Sequence, residues 1–128
     1  MFLSVCICTF KRPALLNALL HALREQQSDD SFEVVVVDND PAGSATEVLK
    51  TQQQYWGDRL ICRHISAANI SVARNEAISV ARGDWLAMID DDELPENDWL
   101  AQLRNAQQRY SAAVVFAPVV PRYLPDTP

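Results

Sequence analysis

Six residues, Phe32 to Val37 (FEVVVV), constrain the fold more than any others in the chain. β-Branched side chains pack well on a pleated surface. The run shows no polar alternation, so the strand it predicts is buried on both faces. Such a strand needs a sheet covered on both sides, which is the arrangement of parallel sheets flanked by helices. The preceding sequence agrees. Leu3 to Cys8 is another short apolar run, broken by Lys11-Arg12-Pro13, with Pro13 suited to a first helical position. Leu15, Leu16, Leu19, Leu20 and Leu23 then recur at helical spacing and mark one apolar face.

The alternation continues to the end of the chain. A weaker helix is expected over about Ser44 to Gln54, a strand over Leu60 to Ile65, and a helix from Asn69 to Arg82 with Gly83 as its C-terminal cap. Trp85 to Ile89 reads as a strand, Asn97 to Arg109 as a helix after Pro95, and Ala113 to Ala117 as a fifth strand. Strand-helix alternation means βαβ units: an α/β fold with a mainly parallel sheet and helices on both faces. Residues 1–117 read as one domain. Residues 118–128 hold four of the seven prolines and read as a Pro-rich tail or a truncation point.

Composition removes several classes of function. A chain of 128 residues, 48% hydrophobic and 22% charged, is long enough for one globular core. Its net charge of −6 lacks the basic footprint of a nucleic-acid binder. No apolar run approaches the roughly 20 residues of a membrane span. The opening residues, MFLSVCICTFKRP, lack the pattern of a secretion signal and read as the first strand. Cys6, Cys8 and Cys62 show no C-x-x-C spacing and read as small buried hydrophobes in a reducing compartment, hence the cytoplasm. Cys6 and Cys8 face the same side of their strand; a metal site made with Cys62 is the minor alternative. His21 and His64 are in metal-ligand spacing neither with each other nor with a cysteine. His21 falls within a helical pattern as a surface or half-buried residue.

In open α/β sheets, ligands bind outside the carboxyl ends of the strands, near the point where strand order reverses. Four of those ends read Cys8-Thr9-Phe10-Lys11, Asp38-Asn39-Asp40, Ser66-Ala67-Ala68-Asn69 and Asp90-Asp91-Asp92. The last is the most demanding. Two carboxylates about 4 Å apart repel by roughly 4 kcal/mol at an effective dielectric of about 20. Either the acids are a solvated loop that also supplies negative charge to the next helix start, or they hold a divalent cation such as Mg²⁺ or Mn²⁺. The acids by themselves leave both readings open. The three glycines are scattered singly, which excludes a P-loop, a dinucleotide-binding turn and the Gly-rich loop of nucleotidyltransferases. A receiver domain needs an acid pair after the first strand, where this chain has Thr9-Phe10-Lys11.

Four segments together carry a more specific signal. They are Ser4-Val-Cys-Ile-Cys-Thr-Phe-Lys-Arg-Pro13, Glu33-Val-Val-Val-Val-Asp-Asn-Asp40, Asn69-Ile-Ser-Val-Ala-Arg-Asn75 and Ala87-Met-Ile-Asp-Asp-Asp-Glu-Leu-Pro95. In this order and spacing the chain resembles the N-terminal, nucleotide-binding half of a family 2 glycosyltransferase, with its Rossmann-like GT-A fold. The resemblance implies that Thr9, Phe10 and Arg12 line a nucleotide-sugar pocket. Asp38 and Asn39 stand where the family has two acids, one of them touching the base. Asn39 departs from that pattern, although an amide still hydrogen-bonds a pyrimidine edge. Arg74, otherwise a solvent-facing helix arginine, is implied to lie near the donor pyrophosphate or base. Asp90 and Asp92 are the implied D-x-D pair, with Asp92 the metal ligand and Asp90 or Asp91 near the ribose. As aromatic groups, Phe10, Trp85 and Trp99 are expected in the core rather than as sugar platforms, Trp99 on a stripe with Leu100 and Leu103.

The same resemblance implies an inverting, metal-assisted transfer from a nucleotide-diphosphate sugar to a saccharide or lipid-linked acceptor. A UDP-sugar is favoured, with GDP- or dTDP-sugars as alternatives. The implied setting is bacterial surface polysaccharide assembly, in the cytoplasm or at the inner face of the membrane. The family's catalytic base lies in the acceptor half, and no residue of this chain matches it. A non-catalytic nucleotide-sugar-binding module therefore stands beside the enzyme reading.

Overall fold

The computed structural model describes residues 2–67 and 69–110. The elements, in chain order, are β1 (Phe2–Thr9), α1 (Pro13–Arg24), β2 (Ser31–Asp38), α2 (Thr46–Trp56), a 3₁₀ turn (Gly57–Arg59), β3 (Leu60–His64), α3 (Ile70–Val80), β4 (Trp85–Met88) and α4 (Trp99–Tyr110). The strand expected over Ala113 to Ala117 and the tail at 118–128 lie outside the described residues. The described strands form one parallel sheet in the order β3-β2-β1-β4. Strand order therefore reverses between β1 and β4.

The valine run behaves as its chemistry requires. Val34, Val35, Val36 and Val37 are all fully buried, because β2 lies between β1 and β3 and both of its faces are covered. Val34 and Val36 join Leu3, Val5 and Ile7 of β1 against Leu16, Leu19, Leu20 and Leu23 of α1, Trp56 of α2 and Leu100 of α4. Val35 and Val37 face the other way, with Cys6, against Ala73 and Ala77 of α3. Helices thus cover both faces, unequally. Cys6 and Cys8 lie on the α3 side, whereas Cys62 packs into the larger core on the opposite side. Burial pushes the Cys6 and Cys62 thiols up to about 11, which marks them as inert packing groups.

Two expectations are corrected here. Gly83 does not cap α3. The helix ends at Val80 with Ala81 as its cap residue, and Gly83 lies hard against β1 instead. A Cβ on Gly83 would sit 2.6 Å from both the Ser4 backbone nitrogen and the Ser4 hydroxyl. Gly83→Ala is expected to lower stability by about 2 kcal/mol through overpacking, read as a fall in the urea midpoint at unchanged slope. Phe10 is the second correction. It is 41% exposed rather than in the core, because Thr9 ends β1 and Lys11 turns the chain outward with a φ of +55°. Trp99 is partly buried against the larger core, beside buried Leu100.

Glu33 sits inside the valine run yet is completely buried. Its Oε1 accepts from the Ser4 hydroxyl at 2.8 Å and from the Arg82 backbone N–H at 2.7 Å; Oε2 accepts from Arg82 Nε at 2.8 Å. The Ser4 hydroxyl oxygen in turn accepts from the Gly83 N–H at 2.8 Å. This network ties the α3–β4 connection to β1 and β2, and so fixes where β4 delivers its acids.

Candidate functional site

The carboxyl ends of β1, β2 and β4 bring most of the expected residues to one rim. At the β1–β4 switch point, Thr9 is buried and its hydroxyl donates to Asp91 Oδ2 at 2.9 Å. Arg12, just before α1, reaches the same acid tip: its Nη1 lies 3.3 Å from Asp91 Oδ1 and 3.1 Å from Asp92 Oδ2. The three aspartates are therefore not equivalent. Asp91 points inward and is buried, whereas Asp90 and Asp92 are exposed, the alternation continuing from buried Ile89. A reciprocal pair of hydrogen bonds shapes the turn: Asp90 N–H to Glu93 Oε1 at 2.8 Å, and Glu93 N–H to Asp90 O at 3.1 Å.

The second part of the rim is the end of β2. Asp38 is buried and ligates the backbone of its own loop, accepting from Asp40 N–H at 2.9 Å and Ala45 N–H at 3.1 Å. Asp40, also buried, accepts from Ala42 and Ser44 N–H. These bonds hold residues 40–45 outside the helix, so α2 starts at Thr46 rather than Ser44. His64 Nε2 lies 2.7 Å from the Asp40 carbonyl oxygen and links the end of β3 to this loop. Asn39 is buried and held by its own N–H to the Thr9 carbonyl at 3.1 Å, while its side-chain Oδ1 has no hydrogen-bond partner. A buried acceptor without a donor is costly, and calls for one from elsewhere.

Arg74 is exposed on α3, whose start is capped by Asn69 accepting from the N–H groups of Ser71 and Val72. Its charge is felt at Cys8. Burial pushes the Cys8 thiol up, the Arg74 guanidinium pulls it down, and the Asp90 and Asp91 carboxylates push it up again. Phe10 is exposed beside the end of β1, with the Lys11 ammonium 5.2 Å from its ring centroid. Lys11, Asp40 and His64 were not among the expected site residues. The left-handed backbone of a lysine carries no sequence signature, whereas Asp40 was visible as part of an acidic strand end.

Among the described residues, no three His, Cys, Asp or Glu side chains form a group that could hold a metal. Asp92 is a half-exposed carboxylate of the oxygen-ligand kind that a hard cation takes, and in this structure its Oδ2 is held by the Arg12 guanidinium at 3.1 Å. A hollow of about 740 Å³ lies at the opposite end of the sheet, lined among others by Phe2, Arg24, Phe32, Tyr55, Trp56 and Arg59. There the guanidiniums lie over aromatic rings, Arg24 on Tyr55 and Arg59 on Phe32 and Trp56. The hollow mixes aromatic rings and guanidiniums with Gln26, Ser28, Asp30 and Ser31, and lies far from the strand ends where the chemistry-bearing residues meet.

Comparison with known proteins establishes the family and the fold. The chain is 32% identical to the succinoglycan biosynthesis protein ExoM of Rhizobium meliloti over 98% of its length, and spans 41% of that protein. It is 28% identical over 77% of its length to the hyaluronan synthase of Pasteurella multocida, of which it spans 10%. Among solved structures, it is similar to the mannosyltransferase PcManGT of Pyrobaculum calidifontis, in complex with GDP-Man and Mn²⁺, at 25% identity and a TM-score of 0.74. That match covers 82% of this chain and 32% of the other. S. aureus TarS 1-349 in complex with UDP shares the fold at a TM-score of 0.74 and 22% identity, over 87% of this chain and 33% of TarS. Among the described residues, no helix is long and apolar enough to cross a membrane. The model of glycosyl transferase family 2 matches residues 4–127, nearly the whole chain, which is therefore a member of that family with a GT-A nucleotide-binding fold.

Proposed function

We propose that this chain is the donor-binding part of a transferase that moves a sugar from a nucleotide diphosphate to an acceptor hydroxyl. The observation that carries the reading is the buried, unpartnered Asn39 Oδ1 set on the same rim as the acid tip of β4. A nucleobase with a ring N–H supplies the donor that Asn39 lacks, and uracil is the favoured base. Thr9 and Asp38 act mainly as scaffold, since their polar atoms hold Asp91 and the β2–α2 loop. Phe10 offers an exposed ring beside the rim for the base or sugar face. Arg12 and Arg74 supply positive charge to the diphosphate. Asp92, with Asp90, would hold a divalent cation, Mn²⁺ or Mg²⁺; when bound, that ion neutralises charge on the departing diphosphate. Asp90 and the buried Asp91 stand nearest the ribose.

The proposed reaction is a direct, inverting displacement. The acceptor hydroxyl forms the new bond at the anomeric carbon while the bond to the diphosphate oxygen breaks, and a base takes the hydroxyl proton. That base and the acceptor site, for a saccharide or a lipid-linked sugar, are assigned to the part of the relatives that this chain does not span. The proposed setting is surface polysaccharide assembly at the cytoplasmic side of a membrane.

Calorimetric titration of UDP into the chain, with Mn²⁺ and with EDTA, tests the reading. Saturable binding that needs the metal, and that weakens at least about tenfold in Asp92→Asn, is the expected result, since a lost charged contact to a bound ion exceeds about 1.4 kcal/mol. GDP and dTDP titrated in parallel identify the base. Binding of equal strength in EDTA and in Asp92→Asn would overturn the metal-assisted donor site.

A further inference from the structure

Arg12 occupies an unusual position for a donor-binding residue. Its guanidinium bridges two carboxylates of the acid tip, 3.3 Å from Asp91 and 3.1 Å from Asp92. The two contacts differ in kind. Asp91 is buried and fixed by Thr9, while Asp92 and Arg12 are each half exposed. Half-exposed ion pairs are weak and readily exchanged. A divalent cation and a guanidinium cannot both sit against the same Asp92 oxygen without repelling one another.

We propose that Arg12 is a resident counter-ion that holds Asp92 in the absence of donor and yields it to the metal. Freed from Asp92, Arg12 stays hinged at Asp91 and turns its charge to the incoming diphosphate. The inference rests on the donor-site reading and adds an exchange to it: one cation leaves the carboxylate as another arrives. Asp91 is the hinge because it is buried and its other oxygen is committed to Thr9. The Lys11 ammonium is the neighbouring positive charge, but it lies over Phe10 rather than on Asp92.

The exchange predicts effects of opposite sign in one variant. Mn²⁺ binding without nucleotide, followed by electron paramagnetic resonance of the free ion, is expected to be about tenfold tighter in Arg12→Gln. That is the order of a unit charge repelling a divalent ion across roughly 5 Å of water-like medium. In the same variant, Mn²⁺-dependent UDP binding is expected to weaken by about tenfold. Lys11→Gln removes the same charge one residue away and is expected to change Mn²⁺ affinity by less than about twofold, since its side chain is screened and not on Asp92. Arg12→Gln that leaves both affinities unchanged, or weakens both, overturns the exchange. So does an equal gain in Lys11→Gln, which would reduce the effect to net charge. A wild-type chain that binds UDP only with metal but is indifferent to Arg12 keeps the donor site and loses the exchange; one that shows no metal-dependent UDP binding loses both.

Discussion

Arg82→Ala is expected to lower the unfolding free energy by about 2 kcal/mol: buried Glu33 loses a charged donor, but the Arg82 side chain is 59% exposed, so water screens the pair and reaches the vacated position. Glu33 is fully buried, and Arg82 supplies it with Nε and Nη2 contacts at 2.8 and 2.7 Å. The cost is no larger because the Ser4 hydroxyl and the Arg82 backbone N–H remain in place after truncation. Burial alone pushes the Glu33 carboxyl up, but the hydrogen bonds from the Arg82 backbone, Ser4 and the guanidinium outweigh it and leave the pKa lowered. A carboxylate depressed in the folded state stabilises above its unfolded pKa of about 4.3, and that contribution is lost as pH falls through the folded value. Urea titrations below about pH 4 should therefore show wild-type stability declining. In Arg82→Ala the decline that Glu33 contributes should be smaller, because a folded pKa raised toward the unfolded value narrows the window between them, and Glu33→Gln should remove this part of the pH dependence. A pH profile identical in all three proteins would show that Glu33 is not held charged by this network.

Asp38→Ala is expected to cost about 3 kcal/mol and to abolish UDP binding as well. Its two oxygens hold the N–H groups of Asp40 and Ala45, both buried, and each abandoned buried donor costs roughly 1–3 kcal/mol. The loop between β2 and α2 carries Asn39, so losing its scaffold also displaces the proposed base contact. Asn39→Ala separates the two effects: it should weaken UDP binding while leaving the denaturation midpoint close to wild type, since Oδ1 has no partner to lose. An Asn39→Ala protein as unstable as Asp38→Ala would show that Asn39 is structural.

The order of the elements and the rim of polar strand ends were legible because they follow from local pattern. The valine run, the leucine stripe of α1 and the turn residues after β2 each specify their own conformation. What escaped depends on distance in sequence. Nothing near Glu33 shows that its partners are Ser4 and Arg82, 29 and 49 residues away. Gly83 looked like a helix cap because caps are the common use of glycine, and only the sheet shows that Ser4 lies against it. Three successive aspartates look alike in sequence. Which of them turns inward is decided by the register of β4 on β1 and by the Thr9 hydroxyl beneath. The expected metal pair, Asp90 and Asp92, falls on the outward phase of that alternation, which is compatible with the spacing that suggested it.

The unequal covering of the sheet has a consequence for how the site opens. α1 is seated by four fully buried leucines, whereas α3 is seated by two alanines. Alanine allows a helix to approach a sheet closely but removes little apolar area from water as it does so. Local opening free energy follows that buried area, so α3 is expected to open more readily than α1. The site is thus split into two layers of different rigidity. Thr9, Arg12 and Asp91 stand on the side anchored by α1 and β1, and Arg74 on the more lightly seated α3. A donor gripped from both layers would fasten α3 to the sheet, so that ligand binding and the closing of this face become one event.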